Sequence, residues 1–163
     1  MQYLHCFTFN MFGTASDQRE VNVPASEAWK VYGTLELGKI AQETLPQWFQ
    51  KIEVVEGDGG AGTIIEIIFS SGAGLSSRKE KFTIVDDERR VKEIDVVEGG
   101  YLDMGFKFYR GRLEVIENEE NSCITKATIE YEVEEDFVAN ASFATIKPLV
   151  DIMDAVANYL ETK

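Results

Sequence analysis

The clearest hydrophobic pattern lies at the end of the chain, where apolar residues recur at steps of three and four over residues 142–162. The positions are Ile146, Leu149, Val150, Met153, Val156, Ala157 and Leu160. This spacing predicts an α-helix of about twenty residues with one apolar face. Such a face must be buried, and we predict that it packs as core. Alternatively it also covers a cavity, in which case Met153 and Val150 would contact a bound ligand.

Most of the chain before this helix alternates between apolar and polar residues in short stretches, which is typical of β-strands. The predicted strands are 18–23, 51–56, 63–69, 78–86, 89–98, 101–116 and 122–133. Two short helices fall between the first two strands, one capped by Ser26 and ended by Gly33, the other over 36–44. The later strands follow one another without a helical crossover, so the sheet should be antiparallel. The predicted fold class is α+β, with a curved seven-stranded antiparallel sheet against a long C-terminal helix.

Length and composition fit one domain, because 163 residues with 44% hydrophobic content can bury a substantial core. We divide the chain into an N-terminal extension or extra strand over 1–17 and a single domain over 18–163. The start lacks a basic leading segment, and its apolar run is short and broken, so a signal peptide is not indicated. No stretch has the apolar length of a transmembrane helix.

Charge and cysteine content narrow the function classes. Asp and Glu number 29 against 16 Lys and Arg, a formal net charge of -13. Such a surface repels phosphate backbones and anionic lipids, so we expect neither a nucleic acid nor a membrane as partner. With two distant cysteines, Cys6 and Cys123, and the single histidine His5, we expect no disulfide framework, no metal site and no cofactor. A cytoplasmic location fits this composition.

Four glycines lie within residues 57–62, between two predicted strands. A phosphate-binding loop would need a following Lys-Ser/Thr pair and a helix, whereas a strand follows here. We therefore predict a tight turn, with a glycine-lined cavity rim or anion-binding nest as the alternative.

Several motifs carry a family resemblance. They are EGDGGAGT (56–63), KEKF (79–82), VD (85–86), EGGYLD (98–103), IEY (129–131) and NASFAT (140–145). With the order of elements, the first four resemble the Bet v 1 superfamily, the plant pathogenesis-related proteins of class 10. The last three resemble most closely its branch of norcoclaurine and norbelladine synthases. The resemblance implies a sheet that grips the long helix around an apolar cavity for small aromatic ligands. The branch condenses an aromatic amine with an aldehyde in alkaloid metabolism, through an imine or iminium.

Two charged residues match catalytic positions of norcoclaurine synthases, which use a glutamate, a lysine, a tyrosine and an aspartate. Glu80 matches the glutamate and Lys92 the lysine. Glu80 alternates with Phe82 and Ile84, and Lys92 alternates with Ile94 and Val96. Both should therefore face an apolar interior, where desolvation makes a carboxylate a better base and lowers the pKa of a lysine. The alternative is a structural ion pair or two exposed charges.

The other two catalytic positions depart from the family. Arg78, or Ser77 in another alignment of the loop, stands at the tyrosine, and Gly111 stands at the aspartate. Tyr101 and Tyr109 remain as phenols, and Tyr109 shares the strand parity of Gly111. The predicted substrate-binding residues are Tyr101, Tyr109, Arg78, Gly111, Met153 and Val150. The same parity would turn Phe106 and Phe108 outward unless a bulge shifts the register.

Three functions follow from the resemblance. The first is an enzyme of plant alkaloid metabolism that condenses an arylethylamine with an aldehyde. The second is a non-catalytic carrier or storage protein for a hydrophobic metabolite or hormone. A hormone receptor of the same fold ranks last, because the expected gate-loop sequence is missing. The expected partner is a small aromatic ligand, and the assembly is a monomer or a homodimer.

Overall fold

A computed structural model describes residues 9–163. Its strands are β1 (Met11–Val21), β2 (Phe49–Glu56), β3 (Ile64–Phe69), β4 (Arg78–Asp86), β5 (Val91–Gly99), β6 (Phe106–Glu119) and β7 (Ser122–Val133). Its α-helices are α1 (Ala25–Tyr32), α2 (Glu36–Thr44) and α3 (Lys147–Glu161), and short 3₁₀ helices cover Gly100–Met104 and Glu135–Phe143. The predicted fold class and the bounds of α2, β4 and β7 are confirmed.

The seven strands form one antiparallel sheet in the order β1-β7-β6-β5-β4-β3-β2. From β2 to β7 each strand pairs with the next in the chain, because only turns, short loops and one short 3₁₀ helix connect them. The long first strand closes the other side by pairing with the last. Within residues 9–163, none of the helices has the length and apolar character needed to cross a membrane.

The first strand is longer than predicted. It begins at Met11 instead of Gln18 and pairs with β7 along its whole length, from Met11 opposite Val133 to Val21 opposite Cys123. The predicted extension therefore overlaps a sheet strand over residues 11–17, while residues 1–8 lie outside the described part of the chain. The prediction began this strand only at residue 18, and left residues 11–17 as an extension or an extra strand, because small and polar residues interrupt the alternation there.

The starts of α1 and α3 also differ from prediction, and a proline lies at or next to each start. The last helix begins at Lys147 instead of residue 142, with Pro148 in its first turn. Proline suits this position because its backbone lacks an N–H that would in any case be unpaired. Pro24, not Ser26, precedes the first residue of α1, so Ser26 lies inside that helix.

The glycine-rich segment is the predicted turn, joining β2 to β3. Gly57, Gly59 and Gly62 have φ values of +97°, +106° and +93°, which side chains other than glycine rarely adopt. The buried Thr63 Oγ1 accepts a hydrogen bond from the Gly59 backbone N–H at 2.8 Å. The glycines therefore allow the chain to fold back tightly onto Thr63.

Two bulges reverse the direction predicted for two side chains. A register shift between Phe106 and Phe108 turns Phe106 into the interior, where it is 4% exposed. A second shift, between Phe82 and Ile84, leaves Ile84 on the surface and breaks the alternation expected from Glu80 onward. The parity argument therefore fails at these two positions, because an extra residue exchanges the two faces of a strand.

Candidate functional site

A cavity of about 400 Å³ lies between the concave face of the sheet, α2 and α3. Its wall is largely apolar and includes Phe49, Ile65, Ile67, Phe82, Leu149 and Ile152. Cavities of this size and character are typical of sites for small organic ligands. The alternative that the C-terminal helix also covers a cavity is therefore supported, although most of its apolar face is core.

Glu80 and Lys92 both line this cavity, as predicted from their strand parity. They project from the neighbouring strands β4 and β5, with Glu80 opposite Val96 and Lys92 opposite Val85. Glu80 is 8% exposed and Lys92 is 1% exposed. The alternative of two solvent-exposed charges is therefore wrong.

Lys92 is a buried amine with weak polar contacts. Its Nζ donates long hydrogen bonds to the backbone oxygens of Tyr32 at 3.3 Å and Thr34 at 3.4 Å, and it lies 3.9 Å from the centre of the Phe82 ring. Burial lowers the pKa of Lys92 from 10.5 to about 8, although the charge of Glu80 acts in the opposite direction. Lys92 can therefore both donate and accept a proton near neutral pH.

The ion-pair partner of Glu80 is Arg78, not Lys92. Arg78 Nε donates to Glu80 Oε2 at 2.8 Å, and the two side chains are 13% and 11% exposed. Arg78 was predicted as a substrate-binding residue at the position of the family tyrosine, but its pairing with Glu80 was not predicted. The signal was available, since residues two apart on a strand share one face. The pair offsets the desolvation of the Glu80 carboxylate inside an apolar wall.

The Arg78 guanidinium also lies among three aromatic rings. Its central carbon is 5.0 Å from the centre of the Phe69 ring and 5.6 Å from those of Tyr101 and Tyr109. Gly100, with φ of +53°, leaves room for the stem of the arginine, because a Cβ there would come within 3.0 Å of Arg78 Cβ. Glycine and aromatic neighbours thus hold the guanidinium at the cavity wall.

Tyr101 and Tyr109 line the cavity and stack on each other, with ring centres 4.3 Å apart. Each hydroxyl donates a hydrogen bond to a backbone oxygen at 3.0 Å, Tyr101 to Phe143 and Tyr109 to Thr145. Burial raises the pKa of both phenols. Both therefore stay protonated and hold the segment before α3 against the sheet. Either would have to give up this bond to donate to a ligand.

Gly111 lines the cavity as predicted, and the space beside it is open. A Cβ built at Gly111 would meet only Leu149 Cδ1, at 3.9 Å. Neither the backbone nor the packing therefore requires glycine here. The position lacks a carboxylate but has room for one.

The predicted ligand contacts of Met153 and Val150 are wrong for this cavity. Met153 is 1% exposed within the packed core, and Val150 packs against the same core. The helix instead lines the cavity with Pro148, Leu149 and Ile152. The two errors differ, because Val150 lies between Leu149 and Ile152 but packs against the core, whereas Met153 follows the last helix residue that lines the cavity.

The described residues contain no cluster of three or more histidine, cysteine, aspartate or glutamate side chains suited to a metal ion. The polar groups that the sheet contributes to the cavity wall are the ammonium or amine of Lys92 and the Arg78–Glu80 pair, joined by the phenols of Tyr101 and Tyr109.

Comparisons with known proteins agree with this geometry. Norbelladine synthase of Narcissus pseudonarcissus is 46% identical over 154 residues, covering 94% of both chains. S-norcoclaurine synthase 2 of Papaver somniferum is 39% identical over 146 residues, 88% of this chain but only 63% of that protein. The structure of norcoclaurine synthase from Thalictrum flavum in complex with dopamine and hydroxybenzaldehyde superposes with a TM-score of 0.84 at 36% identity. The match covers 94% of this chain and 90% of that one.

The predicted resemblance to the norcoclaurine and norbelladine synthase branch is confirmed by these relatives. Residues 12–162 match the pathogenesis-related protein Bet v 1 family as a whole. This chain therefore belongs to the Bet v 1 family.

Proposed function

We propose that the protein condenses an aromatic amine with an aldehyde to an imine within the cavity, as its relatedness to norbelladine and norcoclaurine synthases suggests. The observation that carries the proposal is the position of Lys92. Its amine is buried, its pKa is lowered to about 8, and it lines the same apolar cavity as the carboxylate of Glu80. A general acid works best when its pKa lies near the operating pH.

The first step needs a neutral amine and a polarised carbonyl. An arylethylamine arrives mostly as an ammonium ion, and Glu80 takes one of its protons. The amine nitrogen then attacks the carbonyl carbon, while Lys92 in its ammonium form donates a proton to the carbonyl oxygen. The attached nitrogen then carries a positive charge and releases one proton to solvent, which leaves a neutral carbinolamine with the nitrogen, a hydroxyl and the aryl group on one carbon.

The second step removes water from the carbinolamine. Its hydroxyl must leave as water, and a proton from the protonated Glu80 makes this departure easier. The nitrogen lone pair forms the C=N bond and leaves an iminium, which loses a proton to neutral Lys92. Both side chains have then returned to their starting states, and the apolar wall limits hydrolysis of the imine.

The replacement of the family aspartate by Gly111 bears on the product. A ring closure on an aromatic carbon requires a base to remove the ring proton at the end of the reaction. The cavity wall has no carboxylate at position 111 to take that role. We therefore propose that the main product is the open imine, with slow or poorly stereoselective ring closure.

The test is to incubate the purified protein with dopamine or tyramine and a panel of aryl aldehydes. Sodium cyanoborohydride traps the iminium as a secondary amine, and chiral chromatography detects cyclised products. We expect the rate of trapped amine formation to exceed that of protein-free and Lys92→Met controls. A wild-type rate equal to both controls for every pair would refute the condensation. Robust formation of a single tetrahydroisoquinoline enantiomer would refute the proposed role of Gly111.

A second candidate is a non-catalytic carrier of a hydrophobic metabolite. Two observations favour it: Arg78 already pairs with Glu80, and Gly111 supplies no functional group. A carrier would bind an environment-sensitive dye such as anilinonaphthalene sulfonate in competition with small aromatic ligands, yet show no turnover. The condensation assay and the dye assay together separate the two functions.

We further propose a cytoplasmic location, which is supported by the free, buried thiol of Cys123. The protein is expected to be a monomer or a homodimer, and light scattering at micromolar concentration distinguishes these two assemblies.

A further inference from the structure

Arg78 has unused hydrogen-bonding capacity at the cavity wall. A guanidinium carries five N–H groups. Within residues 9–163, only its Nε–H makes a hydrogen bond, to Glu80. The two terminal nitrogens carry the remaining four N–H groups, in a planar fork that matches the two oxygens of a carboxylate.

The charge balance of the cavity points in the same direction. Two cationic side chains, Arg78 and Lys92, face the single carboxylate of Glu80. The other charged residues at the cavity lie on α2, where Lys39 and Glu43 are exposed and Glu36 is partly exposed. While Lys92 is protonated, the inner wall carries one net positive charge in apolar surroundings, and an anionic ligand would balance it.

The surroundings of Arg78 also favour an aromatic ligand. The rings of Phe69, Tyr101 and Tyr109 lie around the guanidinium and form part of a wall on which a flat ligand can pack. The ammonium form of the amine substrate would approach Glu80, whose Oε1 accepts no hydrogen bond from Arg78, because the terminal N–H groups of the guanidinium repel a cation. The carbonyl partner of the reaction has no such conflict.

We infer that the carbonyl substrate of this protein is an aromatic compound that carries a carboxylate, and that Arg78 determines this specificity by binding it with its terminal N–H groups. The inference rests on the proposed function in assigning the ligand to a condensation. Its test uses binding alone, so the two can fail separately.

The experiment compares two unreactive probes of nearly equal shape, 4-hydroxybenzoate and the neutral 4-hydroxybenzamide, by isothermal titration calorimetry at pH 7. We expect the wild-type protein to bind the benzoate at least tenfold more tightly than the amide. Arg78→Gln should lose this preference. Arg110→Gln is the matched control, because Arg110 is also paired with a carboxylate, Asp95 at 2.7 Å, but does not line the cavity. It should keep the wild-type preference.

Substitutions of Glu80 and of Arg78 should change the preference for the benzoate in opposite directions. Glu80→Gln removes the negative charge beside the guanidinium and frees its Nε–H, so it should increase the preference for the benzoate severalfold. Arg78→Gln leaves Glu80 buried without its partner, so it can fail to fold. The double variant Arg78→Gln, Glu80→Gln removes both charges together and should show no preference.

Three results would overturn the inference. They are equal binding of both probes by the wild type, an unchanged preference in Arg78→Gln or in the double variant, and loss of the preference in Lys92→Met alone. The last result would place the anion at Lys92. A protein that prefers the benzoate through Arg78 but turns over no amine and aldehyde would overturn the proposed condensation and leave an aromatic acid as its ligand.

Discussion

The two ends of helix α3 border different interiors. Its first turns, with Pro148, Leu149 and Ile152, form part of the cavity wall. Its later turns place Met153 and Val156 in a packed core, where they are 1% and 0% exposed. One continuous apolar stripe thus serves two purposes, because its first turns face the cavity and its later turns face core side chains.

The polar residues of the two regions differ in the same way. The cavity half carries Arg78, Glu80 and Lys92 on its wall, all largely buried. Around Met153 and Val156 the sheet instead contributes side chains such as Leu113, Ala127 and Cys123. Buried charges are tolerated where an ion-pair partner, backbone carbonyl groups or space for a ligand lies beside them. In a close-packed apolar core the same charges would have no partner and would be costly. We therefore expect substitutions in the cavity half to change turnover and substitutions in the packed half to change stability.

Loss of charge in the cavity half should give the largest effect. Lys92→Met and Glu80→Gln each remove a group that moves a proton, and such losses cost roughly 10²- to 10⁴-fold in rate. We expect that reduction in kcat/KM for amine and aldehyde condensation, with dye binding retained. Val156→Ala, in the packed half, is the control and should keep its kcat/KM at a temperature where it is folded. Full activity in both cavity variants would remove the distinction between the halves.

The next largest effect is a difference in stability between substitutions at the two ends of α3. Met153→Ala should lower the free energy of unfolding by roughly 2–5 kcal/mol, because it removes a fully packed side chain. Leu149→Ala should cost clearly less, since Leu149 borders empty space and loses fewer contacts. Urea unfolding followed by circular dichroism measures both. Equal costs would mean that Leu149 is packed as tightly as Met153.

Lys92 should also affect stability, with a defined pH dependence. The folded state lowers the pKa of Lys92 from 10.5 to about 8, so between these values the unfolded chain binds more protons. The cost of burying the charge is therefore fully present below pH 8 and disappears as pH rises to about 10.5. The difference corresponds to ~3 kcal/mol.

The measurement is the difference in unfolding free energy between Lys92→Met and the wild type from pH 7 to 10.5. We expect the advantage of the variant to shrink, or its disadvantage to grow, by up to that amount over this range. Taking this difference cancels the contribution of the buried tyrosines to the pH dependence, because they titrate in both proteins. A difference that stays constant with pH would mean that Lys92 is solvated.

The smallest predicted effect concerns the open space at Gly111. Gly111→Asp restores a carboxylate where only Leu149 lies within 4 Å of the new Cβ. We expect the cyclised share of the product formed from dopamine to rise about tenfold, because the carboxylate can accept the ring proton. Gly111→Asn fills the same space without a base and should leave the share unchanged. Equal rises in both variants would mean that shape alone controls cyclisation.

The sequence was sufficient for the parts of the fold that depend on local alternation. The periodicity of apolar residues predicts the bounds of α2, β4 and β7. Strand alternation, supported by the family resemblance, predicts that Glu80 and Lys92 point inward. Alternation within one strand does not show where a bulge lies, so Ile84 was placed on the wrong face and the direction of Phe106 was left dependent on a bulge. A bulge depends on pairing with a neighbouring strand, which one strand's sequence does not record.

Most residues of the candidate site could be predicted from the sequence, but their contacts could not all be predicted. The spacing of Arg78 and Glu80 on one strand was a signal for their pairing, but the position of the guanidinium depends on rings and a glycine from three separate segments. The apolar stripe of α3 likewise predicts burial but not whether the facing surface is packed or empty. That difference depends on the curvature of the sheet, and so Met153 and Val150 were assigned to a cavity that they do not line.

The most direct test of the reactive half is the titration of Lys92 itself. Protein labelled with ¹³C at the lysine Cε gives one NMR signal for each lysine, and Lys92→Met identifies the signal of Lys92. We expect its chemical shift to titrate with a pKa of about 8. A value near 10.5, the ordinary value for lysine, would contradict the desolvated proton donor on which the proposed chemistry depends.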